Sequence, residues 1–341
     1  MLILVLTLGV PGCNSPLPDC RQPGVFCVGL VTETGRIDDR AANQAAWEGV
    51  LQAESQGLVD KVAAIETIDS RDYEENIDAF AEAGYDVIVT VGDGMSAATY
   101  AGAGRFPDTY FIGADQQPPE EQINIPNLIW LVFREKQLGF LGGALAAAMT
   151  QTGKIGAVCG SSAWAPMKLY GEGFIAGAQY TDPEVKTTVT YHDEAGLDET
   201  FNDPEWGAKT AISMIDEGTD VVFGVGGTTG SGAIQAAATR GTFVIGADVD
   251  EYYLLPGAAG RMLTSVLKLV KPGVADLIEA AKDAQGRDGA FRKGKYYGQV
   301  GLASYHDSAA IISEKIKNQM TSVLYSLSYG EYPVKAPAQT P

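Results

Sequence analysis

The chain has 341 residues, 45% of them hydrophobic and 20% charged, and its 43 acidic side chains outnumber 24 basic ones to give a net charge of −19. That length fits two domains of about 150 residues each, and the apolar fraction suffices for real cores, while the 41 glycines lack the three-residue period of collagen. The acidic balance argues against nucleic acid, a polyanion or an anionic lipid surface as partner, and the two histidines, His192 and His306, are too few and too far apart for a His-rich metal site.

Residues 1–10, MLILVLTLGV, are apolar and uncharged. The run is shorter than the roughly 20 residues that span a bilayer, and it reads as the apolar part of a secretory signal. Val10-Pro11-Gly12-Cys13 resembles a bacterial lipobox, which makes Cys13 the expected lipidation site and membrane anchor. Residues 1–24 are then signal, lipobox and tether. An exported chain keeps disulfides, so Cys20 and Cys27 are a possible bridge, whereas Cys159 in IGAVC reads as a buried thiol.

From residue 25 onward, short apolar runs alternate with segments of helical period. Strands are predicted over 25–31, 61–66, 87–91 and 110–113, with helices over 41–54, 73–83 and 95–104 between them. A mixed stretch at 127–133 leads into a long apolar helix at 137–149. The rhythm then restarts: strands at 155–159, 186–191, 221–224 and 243–247, helices at 169–180, 204–217 and 229–240. Fully apolar strands separated by helices make parallel sheets covered on both faces. The expected architecture is therefore two doubly wound α/β lobes joined by a hinge. The chain is expected to cross near 130, 248 and 300, which assigns 25–130 plus 249–299 to the first lobe and 131–248 plus 300–335 to the second.

Ligands of such sheets sit beyond the carboxyl ends of the strands. Those ends carry Glu33, Asp39, Asp93, Asp115, Gly226, Gly227 and Asp248. The turn GVGGTTGSG, 224–232, misses the spacing of a dinucleotide fingerprint and lacks the Lys of a phosphate loop. It reads instead as a close-packed turn lining a cleft for a neutral ligand. Asp248 can accept hydrogen bonds from two adjacent hydroxyls, with Lys268 donating to the same pair. Trp164 and Phe201, near strand ends, can face a planar ring, and Trp130 is a further aromatic candidate. Asp39 with Asn43 is too sparse an oxygen set for Ca²⁺, and there is no G-x-S-x-G nucleophile motif. No metal, no cofactor and no catalytic activity are expected.

The stretch VGLVTETGRIDDRAANQAAWEG resembles the opening of the basic membrane protein (BMP) family of bacterial lipoproteins. The likeness continues through NLIWLVFREKQLGFLGGALAA, GKIGAVCG, GFIAGAQYTDPEV, FNDPEWGAKTA, DVVFGVGGTTGSG, VIGADVDE, LTSVLKLV and YYGQVGLA, over roughly residues 26–330. The resemblance implies a type I periplasmic-binding-protein fold and delivery of a purine nucleoside, or in some branches a riboflavin-like compound, to the permease of an ABC importer. It implies a base contact at Glu33 with Asp39 nearby, a second at Asp115, a stacking ring at Phe201, and a ribose-binding set of Gly227, Asp248 and Lys268. Two positions depart from the pattern. The family usually has Phe where this chain has Ala42, and Asp93 stands where an apolar or aromatic residue is expected. The pocket is thus remodelled, with Trp130 or Trp164 as candidates to refill it. The expectation is a monomeric, lipid-anchored, extracytoplasmic nucleoside-binding protein. A flavin-like or sugar-like ligand, a sensor role and a nucleoside hydrolase are the alternatives.

Overall fold

The computed structural model describes residues 19–118, 125–285, 294–330 and 332. Two six-stranded sheets form, each with helices on both faces. The first contains β1 (Cys27–Val31), β2 (Lys61–Ile65), β3 (Val87–Val91), β4 (Tyr110–Ala114) and β5 (Leu128–Val132), interleaved with helices α1 (Ala42–Ser55), α2 (Tyr73–Glu82) and α3 (Ser96–Arg105). The chain then leaves through α4 (Glu135–Met149) and builds the second sheet from β6 (Lys154–Cys159), β7 (Lys186–Tyr191), β8 (Val221–Gly224), β9 (Phe243–Asp248) and β10 (Met262–Lys268). Its helices are α5 (Ala165–Thr181), the short α6 (Leu197–Thr200), α7 (Pro204–Asp216) and α8 (Gly227–Thr239). Helix α9 (Val270–Ala284) and strand β11 (Gly294–Tyr297) return to the first lobe, and β12 (Val300–Leu302) and α10 (Glu314–Ser328) complete the second.

The strand orders are β2-β1-β3-β4-β5-β11 and β7-β6-β8-β9-β10-β12. Every pairing is parallel except β10 with β12. The central strands β1, β3 and β5 are buried along their whole length, as their uncharged, mainly Val/Ile/Leu sequences require when helices cover both faces. In the first lobe, one face is closed by α1 and α9 and the other by α2 and α3. In the second, α4, α5 and α10 close one face and α7 and α8 the other. Helices α4 and α5 approach backbone to backbone: a Cβ on Gly143 would overlap the Phe174 carbonyl, and one on Gly177 the Phe140 carbonyl.

Three crossings link the lobes, after β5, at Leu269, and between β11 and β12. The second differs from the sequence expectation of 248. β10 pairs with β9 from Met262 to Leu267, so the chain stays in the second sheet about twenty residues longer than the pattern suggested. The first lobe regains the chain only at α9, whose Val270, Val274, Leu277 and Ile278 are buried with Ala46 and Val50 of α1. Cys20 and Cys27 form a disulfide that ties the chain before β1 to the first sheet, and Cys159 is a buried free thiol. Cys13 lies outside the described residues.

Candidate functional site between the lobes

Both sheets turn the carboxyl ends of their strands toward a cavity of about 220 Å³. In each sheet the first strand in the chain lies between the next two, β1 between β2 and β3 and β6 between β7 and β8, so the connections from its neighbourhood leave to opposite sides. Loops leaving such a switch point diverge and leave a crevice. A larger hollow of about 620 Å³ beside α1 and the start of α9 also touches Lys268, but it holds neither the glycine turns nor Trp164 and Phe201.

The first lobe contributes carboxylates. Glu33 follows β1, and its Oε1 accepts a hydrogen bond from Gly94 N–H at 3.0 Å. Its own backbone N–H donates to Asn43 Oδ1 at 3.2 Å. Gly92, at φ +85°, must be glycine for a second reason: a Cβ there would collide with the Glu33 carboxylate. Asp93 Oδ1 accepts from Gln117 N–H at 2.7 Å and from the Ser96 hydroxyl at 3.3 Å. Burial raises the Glu33 carboxyl above its usual range, Gly94 N–H opposes this, and the charges of Asp93 and Asp115 push it further up.

The second lobe contributes rings and glycine turns. Phe201, just after α6, meets Trp164 edge to face with centroids 5.5 Å apart. The Phe201 ring lies so close to Gly160 that a Cβ there would strike it, and its carbonyl occupies the place of a Cβ on Gly227. Gly226 and Gly227, at φ +107° and +62°, make the left-handed entry into α8. The Tyr170 hydroxyl donates to Asp248 Oδ1.

Lys268, at the end of β10, joins the two halves. Its Nζ donates to Asp115 Oδ1 and Oδ2 at 2.9 and 3.1 Å and lies 3.7 Å from Asp248 Oδ1. The side chain is only 8% exposed. Burial alone would lower the ammonium, but Asp115, Asp248 and Glu135 outweigh it and hold the group well above its ordinary value. Burial raises the carboxyls of Asp115 and Glu135 despite Lys268. Tyr170 is pushed up as well, by burial first and then by Asp248.

Of the sequence candidates, Glu33, Asp93, Asp115, Trp164, Phe201, Gly226, Gly227, Asp248 and Lys268 all line this cavity, as does Ala42. Three others do not. Asp39 holds the start of α1, accepting from Ala41 N–H at 2.7 Å and Gln44 N–H at 3.1 Å. Asn43 is buried behind Glu33 and orients it. Trp130 is fully buried in the core against Gly113, and so cannot refill the space at Ala42. Sequence reasoning passed over Gln117, Glu135, Met167 and Tyr170, which also line the cavity. Met167 and Tyr170 share the apolar face of α5 with Phe174, so their spacing looked like core. Among the described residues no group of three His, Cys, Asp or Glu side chains is placed to hold a metal ion.

A family model described as "ABC transporter substrate-binding protein PnrA-like" matches residues 26–324. The chain belongs to this Bmp family of substrate-binding proteins. Its relatives include an ABC transporter nucleoside-binding protein BmpA of Lactococcus lactis, 27% identical over 75% of each chain. A CD4+ T-cell-stimulating antigen of Listeria monocytogenes is 27% identical over 83% of this chain and 81% of its own. Basic membrane protein A of Borreliella burgdorferi is 29% identical over 69% of this chain and 66% of its own. Among solved structures, an ABC transporter solute-binding protein from Aeropyrum pernix superposes with a TM-score of 0.62 at 26% identity, covering 91% of this chain and 82% of that one. Another, from Conexibacter woesei, has a TM-score of 0.71 at 20% identity over 91% and 98%. The two-lobed periplasmic-binding-protein fold and the assignment to ABC import follow, and with them an extracytoplasmic place of work. No described helix is long and apolar enough to cross a membrane.

Proposed function

We propose that this Bmp-family protein captures a nucleoside, a purine nucleoside first among them, and presents it to its permease as a monomer tethered through a lipid on Cys13. The observation that carries this reading is the division of the cavity: hydroxyl-binding groups at Asp248 and Lys268, rings at Phe201 and Trp164, and acceptor carboxylates on the opposite lobe. A ribose offers vicinal hydroxyls to the first, a base offers a planar face to the second, and its N–H edge suits the third. The cavity of about 220 Å³ falls just below the roughly 300–1,000 Å³ of most small-molecule sites, which fits one compact ligand. The name of the Lactococcus relative supports the same class. Three crossings between lobes make a hinge, so the lobes close on the ligand and shield its hydrogen bonds from water. The family is one of substrate-binding proteins, and on that ground we read the site as binding its ligand without transforming it.

The test is mass spectrometry of the small molecule that co-purifies with the protein, followed by calorimetry with a nucleoside panel. Charge-assisted hydrogen bonds contribute about 1.5–3 kcal/mol each, so Asp248→Ala is expected to weaken a nucleoside about 10- to 100-fold. Phe201→Ala is expected to weaken it further than it weakens a plain sugar. A co-purified ligand without a ribose, or unchanged affinity in a folded Asp248→Ala protein, overturns the reading.

A further inference from the structure

The cavity carries more negative charge than its own cation balances. Five carboxylates line it, those of Glu33, Asp93, Asp115, Glu135 and Asp248, against the single ammonium of Lys268. Lys268 is committed to Asp115 and Asp248. On the first lobe, Glu33 and Asp93 are held by neutral donors only in the hydrogen bonds described above: backbone N–H groups of Gly94 and Gln117 and the Ser96 hydroxyl. The charges acting on Glu33 are those of Asp93 and Asp115, both of its own sign.

An atomic cation does not answer this excess. The carboxylates are spread around the cavity rather than converging, and no metal-binding group of three forms among the described residues. The charge that would balance them has to be spread as well. The linings of the two lobes differ in the same sense. On one lobe, Ala42 and the Asp93 carboxylate line the cavity. Across from them stand Trp164 and Phe201, whose faces attract cations as well as planar rings.

We infer that the ligand carries a delocalised positive charge on its planar ring, seated between the Trp164–Phe201 pair and the Glu33–Asp93 pair. This rests on the nucleoside reading and narrows it to cationic, ring-alkylated nucleosides. With a neutral base the repulsion between Glu33 and Asp93 is relieved only by protonating one of them, the direction in which burial and Asp93 already push Glu33. A ring bearing positive charge relieves that repulsion and gains attraction from both carboxylates at once.

A pair of isomers isolates the charge from size and hydrophobicity. 1-Methyladenosine is protonated to a cation at neutral pH, and its isomer N6-methyladenosine, one proton fewer, is neutral. Calorimetry on the full chain in detergent is expected to show the cation binding at least about tenfold more tightly, as close opposite charges at low screening require. In an Asp93→Asn protein that keeps its near-UV circular dichroism, that preference is expected to fall below about threefold, because one of the two carboxylates has lost its charge. Equal or tighter binding of the neutral isomer overturns the inference and leaves the nucleoside reading standing. A preference for the cation that survives intact in Asp93→Asn also overturns it, since the charge would then be read elsewhere. If neither isomer binds, nor adenosine, nor guanosine, the nucleoside reading itself has failed and the inference falls with it.

Discussion

Replacing Lys268 by Met removes the cation from the centre of the cavity while keeping most of the stem. Nζ lies 2.9 Å from one Asp115 oxygen and 3.7 Å from Asp248 Oδ1. At an effective dielectric of about 20 these two contacts amount to roughly 6 and 4 kcal/mol of gross attraction. Desolvation of Lys268 and Asp115, and in part of the 39% exposed Asp248, offsets most of that gain, several kcal/mol per buried ion. Deleting one partner recovers none of the desolvation spent on the others, and buried pairs broken in this way lose about 3–5 kcal/mol. Lys268→Met is therefore expected to unfold in urea with a stability about 3–5 kcal/mol below the parent at pH 7. The pH dependence has a definite sign. Burial already raises the Asp115 carboxyl above its ordinary 3.8, and losing the ammonium raises it further. A carboxyl whose folded value is raised favours the folded state fully below the ordinary value, and that contribution disappears as pH climbs through the raised one. The gap between variant and parent should narrow on acidification and be smallest below 3.8. Adding Asp115→Asn to Lys268→Met should restore much of the stability at pH 7. A single variant within about 0.5 kcal/mol of the parent, running parallel to it across pH, would refute the argument that Lys268 neutralises the strand ends.

Two further outcomes follow from groups away from the cavity lining. Glu251 is buried, with its carboxylate accepting from the Ser231 hydroxyl at 3.0 Å and from Ala247 N–H at 3.2 Å, and burial pushes it up to about 7. The raised value means a stabilising contribution present below 4.5 and lost as pH rises to about 7, on the order of 3 kcal/mol at most; Glu251→Gln should flatten thermal stability across that window. Gly143→Leu drives a side chain into the Phe174 backbone where α4 meets α5, and should cost about 3 kcal/mol or more in a thermal melt.

The strands were legible because they are buried on both faces, and a run such as Val-Ile-Val-Thr-Val needs no alternation to be recognised. The order of lobes in the last hundred residues was not. β10 passes into α9 through Leu269 alone, and the Pro272-Gly273 pair that follows lies inside the first turn of α9 rather than in a loop between the lobes. That several strand-end residues line one cavity was readable, because the carboxyl ends of parallel strands gather at one edge of each sheet. Residues reaching the site from helices were not: Glu135 opens α4 and Tyr170 lies one turn into α5, where a carboxylate or a ring has ordinary explanations. Asp39 and Trp130 show the converse. Each occupies a suggestive place, yet one is needed as a helix cap and the other as filling over Gly113.

The quartet Ile-Gly-Ala-Asp occurs twice, at 112–115 and 245–248, and this repeat explains why the site has its particular charges. Strands β4 and β9 hold the same place in their sheets, and both terminal aspartates are left-handed, at φ +54° and +68°. A non-glycine residue tolerates that conformation best when it is Asp or Asn. The repeat extends to Val91-Gly92 and Val225-Gly226, with both glycines at positive φ. Each lobe thus presents equivalent turns, and the two lobes brought face to face bring two like charges together. Lys268 ends β10 and neutralises them; the corresponding end of β5 continues through Val132 and Phe133 to Arg134, whose guanidinium stacks on Tyr297 at 4.1 Å. What a ligand can read is the departure from equivalence. The rings Trp164 and Phe201 belong to the second lobe alone, and the pair Glu33 and Asp93 to the first. The cavity is therefore asymmetric although the turns that frame it are equivalent: rings line it from the second lobe only, and the Glu33 and Asp93 carboxylates from the first.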